Sequence, residues 1–283
     1  MTSLAFNRYG KHRVRVSKIR RPRQAAAKAE RHEFVEASVD IELEGDFAAS
    51  FTEGDNRNVI ATDTCKNTVY VLAKDHPLDT IESFGLAIVE HFIGRYAHVT
   101  RAIASLEERV WSRLADSPFC FTAAGSSTPT TVIDLVRGQS PQVRSGFEKL
   151  LIAKTTESGF SDFHRDEFRT LPDTNDRILA TELSTVWTYD STTVDFAKFR
   201  VAIVDALVKR FTDHYSRSVQ ETLYLMGQAA LAACPVVKGI TLTMPNKHHL
   251  LANLAPFGRT NENEVFVATD EPFGYITGTV ARD

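Results

Sequence analysis

The residues whose types and spacing could support catalysis form none of the common enzyme signatures. The chain has no Gly-x-Ser-x-Gly nucleophile motif, no phosphate-binding loop and no dinucleotide-binding fingerprint. Its nine histidines never take the His-x-His or His-Glu-x-x-His spacing of metal sites. The adjacent His248 and His249 would point to opposite faces of a strand. The spacing therefore predicts no metal site and no familiar nucleophile.

One local feature is suited to binding a ligand, namely the start of a helix at Ser218. Ser218 followed three residues later by Glu221 is a capping box. It places Val219 and Gln220 in the first helical turn, where backbone N–H groups lack intrahelical partners and attract an anion or a carbonyl group. A similar start is predicted at 62–64. Caps also occur in helices that bind nothing, so plain helix capping is the alternative interpretation.

The elements that must position these helix starts follow from hydrophobic periodicity. In the first half the order is two strands, two helices and two strands, with a slip in the second strand near Ala37 and a turn at 125–127 that breaks the last. The predicted ranges are about 14–19, 34–43, 63–74, 79–96, 98–111 and 117–138.

The second half repeats this order, at about 147–155, 178–189, 195–214, 219–232, 236–244 and 264–269. Each half therefore contains two strands, then two helices, then two strands. This repeated order predicts an α+β fold whose antiparallel sheet is covered by helices on one face. The corresponding domain prediction is a first module at 1–140 and a second at 141–283.

Composition excludes several classes of protein. Of the 283 residues 43% are apolar, which is enough to form a buried hydrophobic core. The formal charge of −3 gives no overall attraction to nucleic acid or to an anionic membrane. The basic run at 8–31 is interpreted as a solvated surface, because no nucleic-acid-binding module accompanies it. No apolar stretch is long enough to span a bilayer.

Cysteine use and the chain ends bear on the compartment. Cys65, Cys120 and Cys234 are far apart and odd in number, which argues against a disulfide framework and against a cysteine metal site. The amino terminus lacks an apolar signal-peptide core, and the ending Ala281-Arg282-Asp283 is not a peroxisomal address. A cytoplasmic location is therefore expected.

Six segments, in register along the whole chain, resemble the signature motifs of the urate oxidase family. They are Tyr9-Gly10-Lys11, Ala61-Thr62-Asp63-Thr64 with Lys66-Asn67-Thr68, Gly159-Phe160 with Arg165-Asp166-Glu167-Phe168, Asp176-Arg177-Ile178-Leu179, Ser218-Val219-Gln220, and Pro245-Asn246-Lys247-His248. The resemblance implies the tunnelling fold, with tandem modules of antiparallel sheet and paired helices that assemble into a homotetrameric barrel. It also implies a cofactor-free oxidoreductase of purine degradation, which converts urate, dioxygen and water to 5-hydroxyisourate and hydrogen peroxide.

The resemblance further implies a set of substrate-binding residues. Arg177 and Gln220 would bind the carbonyl oxygens and ring nitrogens of urate, because a guanidinium offers paired donors and an amide offers a donor beside an acceptor. Phe160 would stack on the purine plane. The backbone N–H groups of Val219 and Asp63 would complete the frame.

The implied catalytic residues are Lys11 and Thr62, as a proton relay supported by His248. Asn246, together with the Thr62 hydroxyl, would hold dioxygen or water above the ring. Lys11, Thr62 and Asp63 lie in the first module and the others in the second, and in the resembling family the two groups meet across a subunit interface.

Each role has an ordinary structural alternative. Lys11 is otherwise a solvated charge, Phe160 a core aromatic, His248 a structural histidine, and Arg177 an ion-pair partner of Asp173 or Asp176. Two other functions stay open: a pterin-type enzyme of the same fold, which would use zinc, and a purine-binding protein without catalysis. Metal analysis would separate the first from a urate oxidase, and urate consumption would separate the second.

Overall fold

The computed structural model describes residues 2–21 and 31–283, which form two compact units. Unit 1 consists of the described residues up to Gly146 together with Thr188–Ala197, and unit 2 of Phe147–Trp187 and Lys198–Asp283. Arg23 and Lys28, members of the basic run at 8–31, lie outside the described residues. No helix within the described ranges is long and apolar enough to cross a membrane.

Unit 1 contains a sheet of four antiparallel strands in the order β1-β2-β3-β6, with a separate hairpin of β4 and β5. Along the chain, two long helices, α2 and α3, follow the second strand and precede the third, as predicted. The elements are β1 Tyr9–Arg20, β2 Glu33–Gly45, α1 Ala48–Thr52, α2 Thr62–Asp75, α3 Ile81–Arg95, β3 Val99–Arg109, β4 Trp111–Arg113, β5 Phe121–Ala123 and β6 Thr128–Val136.

Unit 2 repeats this order, with strands β7-β8-β9-β13, a short strand β10 beside β8, and a hairpin of β11 and β12. The elements are β7 Gln142–Lys154, β8 Leu179–Tyr189, α4 Phe196–Thr212, α5 Val219–Ala233, β9 Val237–Thr243, β10 Asn246–Lys247, β11 His249–Leu251, β12 Phe266–Ala268 and β13 Thr277–Ala281. The ends of β7, β8 and α4 that lie within 1–146 or 188–197 belong to unit 1. The α+β class is confirmed.

Strand β2 shows why the alternation predicted a half-buried sheet. Ala37, Val39, Ile41 and Leu43 are all at most 1% exposed, so every second side chain faces the core. The predicted slip near Ala37 is therefore wrong. The pairing of β1 with β2 is irregular in β1 instead, between Lys11 and Val14.

In both units, basic side chains donate to backbone carbonyls at the ends of helices. Lys18 Nζ lies 2.7 Å from Ala73 O and 2.6 Å from His76 O, where α2 ends. A cation at this end compensates the unpaired carbonyls and the negative end of the helix dipole. The corresponding donors are Arg137 at the carboxyl-terminal end of α3, Lys154 at that of α4 and Arg282 at that of α5.

Two predicted strands differ from the structure. The segment 117–138 contains two strands, β5 and β6, which belong to different sheets. The segment 264–269 contains only the hairpin strand β12, and β13 forms the last strand of the sheet of unit 2. Periodicity did not indicate β13, because Val280 is its one buried side chain.

Candidate active site

The start of α5 has the predicted cap. Ser218 has an extended backbone, and its Oγ accepts a hydrogen bond of 3.1 Å from the backbone N–H of Glu221. The Glu221 carboxylate accepts a hydrogen bond of 3.0 Å from the backbone N–H of Arg217. In a standard capping box it would accept from the N–H of the cap residue itself, Ser218. The Val219 and Gln220 N–H groups lie in the first turn, where a helix offers no internal acceptor. The Val219 side chain is buried and the Gln220 side chain is exposed.

The segment that carries Phe160 is joined by backbone hydrogen bonds to the residues before α5. Gly159 N donates to Ser216 O at 2.8 Å, and Ser216 N donates to Glu157 O at 2.9 Å. Phe160 N then donates to Thr174 O at 2.7 Å. These bonds place Phe160 beside the start of α5 within unit 2.

Gly159 lies where no side chain fits. A β-carbon there would clash with Tyr215 Oη and lie 2.9 Å from Thr174 O, a backbone atom that cannot move alone. We expect Gly159→Ala to lower the free energy of unfolding by about 1–3 kcal/mol, through overpacking. Thermal unfolding measures this. Gly94→Ala is the matched control, since a β-carbon at Gly94 meets nothing within 4 Å, and an equal loss in both variants would contradict the steric explanation.

Arg177 is half-buried beside Phe160. Its backbone N–H donates to Ser158 O at 2.9 Å, and its Cζ lies 5.4 Å from the centroid of the Phe160 ring. Burial lowers the pKa of Arg177, yet a guanidinium stays charged in proteins. Its Nε is buried without a hydrogen-bond partner in the described part of the chain.

The ion-pair alternative for Arg177 is wrong within the described residues, which contain no salt bridge to it. Asp173 pairs with Arg165 and Arg169, and Asp176 accepts a hydrogen bond from Thr156. A cation that is withdrawn from water without a counter-ion is destabilised. Arg177 is therefore suited to an anionic ligand.

Phe160 belongs to an aromatic pair and is not a fully buried core residue. Its ring stacks on that of Phe163, with centroids 4.7 Å apart and planes inclined by 10°. A planar ligand can therefore stack on Phe160 only from the face that Phe163 leaves free.

Asn246 and His248 lie close to the beginning of β8, and β8 begins two residues after Arg177. Asn246 pairs with Thr181 of β8, donates its backbone N–H to Gly274 O at 2.7 Å and is 9% exposed. Its Nδ2 lies 3.5 Å from His248 Nδ1, at the limit of a hydrogen bond. Phe160 and Arg177 thus lie beside the helix start that carries Val219 and Gln220, and Asn246 and His248 lie in the same unit next to β8.

Unit 1 gathers the remaining three. Lys11 lies at the irregularity of β1, a type of feature that changes the direction of a side chain. Thr62 and Asp63 are the first two residues of α2, whose start is confirmed, although the residue at the cap, Ala61, has no polar side chain. The hydrogen bond from Lys66 lowers the pKa of Asp63, and the charge of Lys11 lowers it further. Strand β1, which carries Lys11, packs against α2.

Tyr9 had no predicted role, and the structure shows what it does. Its Oη accepts a hydrogen bond of 2.7 Å from Ile60 N, and its ring lies edge-on against Phe47 at 4.7 Å. Burial raises the pKa of Tyr9 to about 12. Tyr9 thus connects β1, two residues from Lys11, to the segment before α2. The sequence signal that could have indicated this role is strand alternation, because it places residues 9 and 11 on the same face of β1.

The thiol nearest to this group is protected by burial. Cys65 is 0% exposed, and burial raises its pKa to about 11, so the reactive thiolate is disfavoured at neutral pH. The structure places no group of three or more His, Cys, Asp or Glu side chains where it could hold a metal ion, within residues 2–21 and 31–283.

Comparison with known proteins gives a consistent result over the full length. The family model described as Uricase matches residues 7–134 and 143–277. The uricase of Arthrobacter globiformis is 39% identical over 280 residues, covering 99% of this chain and 90% of that protein. The uricase of Dictyostelium discoideum is 36% identical over 292 residues, covering 100% of this chain and 98% of that protein. The crystal structure of the Arthrobacter globiformis uricase superposes with a TM-score of 0.94 at 38% identity, covering 100% of this chain and 96% of that one.

Proposed function

The chain belongs to the uricase family and is a urate-oxidising enzyme, and we propose that it uses dioxygen and water with neither metal nor organic cofactor. The products are 5-hydroxyisourate and hydrogen peroxide. The observation that carries the proposal is the half-buried Arg177 guanidinium, without a carboxylate partner among the described residues and next to an aromatic ring. Urate is a planar anion and provides both the missing charge and a surface for stacking.

The residues around Arg177 hold urate in one orientation. Arg177 donates paired hydrogen bonds to one edge of the anion, a geometry in which Arg binds more specifically than Lys. Gln220 and the Val219 N–H contribute from the first turn of α5, where the helix dipole also favours negative charge. Phe160 stacks on the ring, and the Asp63 N–H at the start of α2 contributes a further donor.

The reaction needs proton removal and electron transfer, both of which depend on positioning. Lys11 and Thr62, supported by His248, carry protons away from urate and make its ring electron-rich. Dioxygen, held by Asn246 and the Thr62 hydroxyl, accepts the electrons, adds to the ring as a hydroperoxide and leaves as hydrogen peroxide. Urate and water together release two electrons and two protons, which reduce dioxygen, and the oxygen of water stays on the ring.

We further propose that the modules at 1–140 and 141–283 are tandem tunnelling-fold modules, assembled into a homotetrameric barrel. The support is the repeated order of four strands around two helices, with basic side chains at the helix ends in both units. Each active site then combines Lys11, Thr62 and Asp63 of one subunit with the second-module residues of its neighbour.

Metal-independent turnover tests this function. Protein dialysed against a strong chelator should still consume urate, followed by its ultraviolet absorbance, and should release one hydrogen peroxide per urate. The physical reason is that urate itself supplies the electrons, so no metal is needed as a reductant. Activity that falls with the chelator and returns with zinc, copper or iron would contradict the proposed mechanism, and binding without consumption would indicate a purine-binding protein.

A further inference from the structure

A chain of four hydrogen bonds lies next to the start of α5, on side chains with no role in the proposed reaction. His214 Nδ1 lies 2.6 Å from Arg210 O, and His214 Nε2 lies 3.1 Å from Thr222 Oγ1. Thr222 Oγ1 lies 2.7 Å from Ser216 Oγ, and Ser216 Oγ donates to Ser218 O at 3.1 Å. The chain thus ends on the carbonyl of the residue that caps α5.

The number of protons decides whether all four bonds exist together. Each carbonyl at an end of the chain can only accept, so Ser216 must donate to Ser218 O and His214 Nδ1 must donate to Arg210 O. Ser216 Oγ then accepts from Thr222, whose single proton is used. Thr222 can therefore only accept from His214 Nε2. The complete chain requires protons on both ring nitrogens of His214, which is the charged imidazolium.

A neutral imidazole leaves one of the four bonds without a proton. Ser216 and Thr222 are both 0% exposed, so solvent does not readily replace the lost bond. When His214 is neutral, the hydroxyl groups must reverse or one donor–acceptor pair must separate. If the hydroxyl groups reverse, Thr222 donates to His214 Nε2 and Ser216 donates to Thr222 Oγ1, which turns the Ser216 hydroxyl away from Ser218 O.

The surroundings of His214 make the neutral form dominant at neutral pH. Burial lowers its pKa, opposed by the hydrogen bond to the Arg210 carbonyl. The charges of Lys154 on β7 and Arg210 on α4 lower it further, whereas Glu221 on α5 raises it. Burial also lowers the pKa of Lys154, whose neighbours Glu157 and Asp213 favour its charged form. The four bonds are therefore complete only when the pH falls below the depressed pKa of His214.

Ser216 links this chain to the candidate site. Its carbonyl accepts from Gly159 N and its N–H donates to Glu157 O, so it holds the Phe160 segment. Two residues later, Ser218 caps the helix turn that carries Val219 and Gln220. A change at the Ser216 hydroxyl therefore affects both the Phe160 segment and the first turn of α5, the two segments that are proposed to bind urate.

We propose that His214, acting through Thr222 and Ser216, is a positioning residue for the urate site, and that its protonation tightens urate binding. The inference rests on the proposed function. His214 does not touch the substrate, so its effect appears in KM, while kcat is set by the proton relay of the first module.

Thr222→Val tests the chain, because valine keeps the shape of threonine and removes the hydroxyl. At acidic pH, where His214 carries its proton and the four bonds are complete, we expect KM for urate to rise about three- to tenfold, the effect of one buried hydrogen bond, with kcat nearly unchanged. Thr222→Ser, which keeps the hydroxyl, is the matched control and should retain the wild-type KM. Thermal unfolding of both variants shows whether a loss of fold contributes.

The pH dependence separates positioning from a merely structural role. Between about pH 8 and 5, the wild-type KM should fall relative to that of Thr222→Val as His214 gains its proton. His214→Gln provides a donor to Thr222 without titration, so this pH-dependent difference from Thr222→Val should disappear. An unchanged KM in Thr222→Val, or the same pH profile in all three proteins, would overturn the inference. Failure of the wild type to consume urate would instead overturn the proposed function.

Discussion

Lys11→Ala is expected to lower urate turnover by about 10²–10⁴-fold, the usual contribution of a positioned acid or base, while purine binding persists. The reason is the separation of the site into two groups. Lys11 lies at the irregularity of β1, which packs against α2, whereas Arg177, Phe160 and Gln220 belong to unit 2. Loss of the lysine removes proton transfer and leaves the donors that hold the purine.

Steady-state absorbance measures the turnover, and calorimetry with an unreactive analogue such as 8-azaxanthine measures the binding. Lys74→Ala is the matched control, because Lys74 is an exposed lysine of the same unit at the end of α2. Arg177→Ala should show the opposite pattern, with binding weakened by about 1–3 kcal/mol through loss of a partly buried donor. A Lys11→Ala protein that binds no analogue would refute this division of roles.

Lys11→Ala and Arg177→Ala, assayed at a urate concentration far below the raised KM of Arg177→Ala so that each alone shows little activity, are expected to recover activity when they are produced together. If every site combines the first module of one subunit with the second module of its neighbour, a mixed pair contains one site with both defects and one with neither. With random assortment, a site is intact when each of the two contributing modules is unaltered. About a quarter of all sites, and hence about a quarter of the wild-type activity, should return.

Two different affinity tags and purification through both would enrich the mixed oligomer for assay. The control is co-production of Lys11→Ala with itself under the two tags, which should stay inactive. If the mixed oligomer is as inactive as its parents, the two groups of residues meet within one chain, and the shared site is refuted.

The sequence by itself determined most elements of this fold, because their signals are local. The apolar face of α3 and the alternation of β2 depend on residues within a few positions of one another. The cap at Ser218 was predictable for the same reason, since Glu221 lies one turn away. The motifs around Lys11 and Arg177 indicate the family from the residues alone.

The sequence did not determine which distant groups satisfy one another. Asp173 was a possible partner of Arg177, and only the packed structure shows that it pairs with Arg165 and Arg169. The bond from Ile60 N to Tyr9 joins positions 51 residues apart. Strand β13 was missed because its one buried side chain leaves no period to detect.

The candidate site depends on both kinds of information. Local pattern placed Val219 and Gln220 in a first helical turn, but the contact of Ser216 with the Phe160 segment and the hydrogen bonds from His214 arise from tertiary packing. Helices and strands form from short-range periodicity and caps, which a sequence displays directly. A hydrogen bond or an unpaired charge depends on which remote atoms the packed chain brings within about 3 Å, and that is decided only when the whole unit folds.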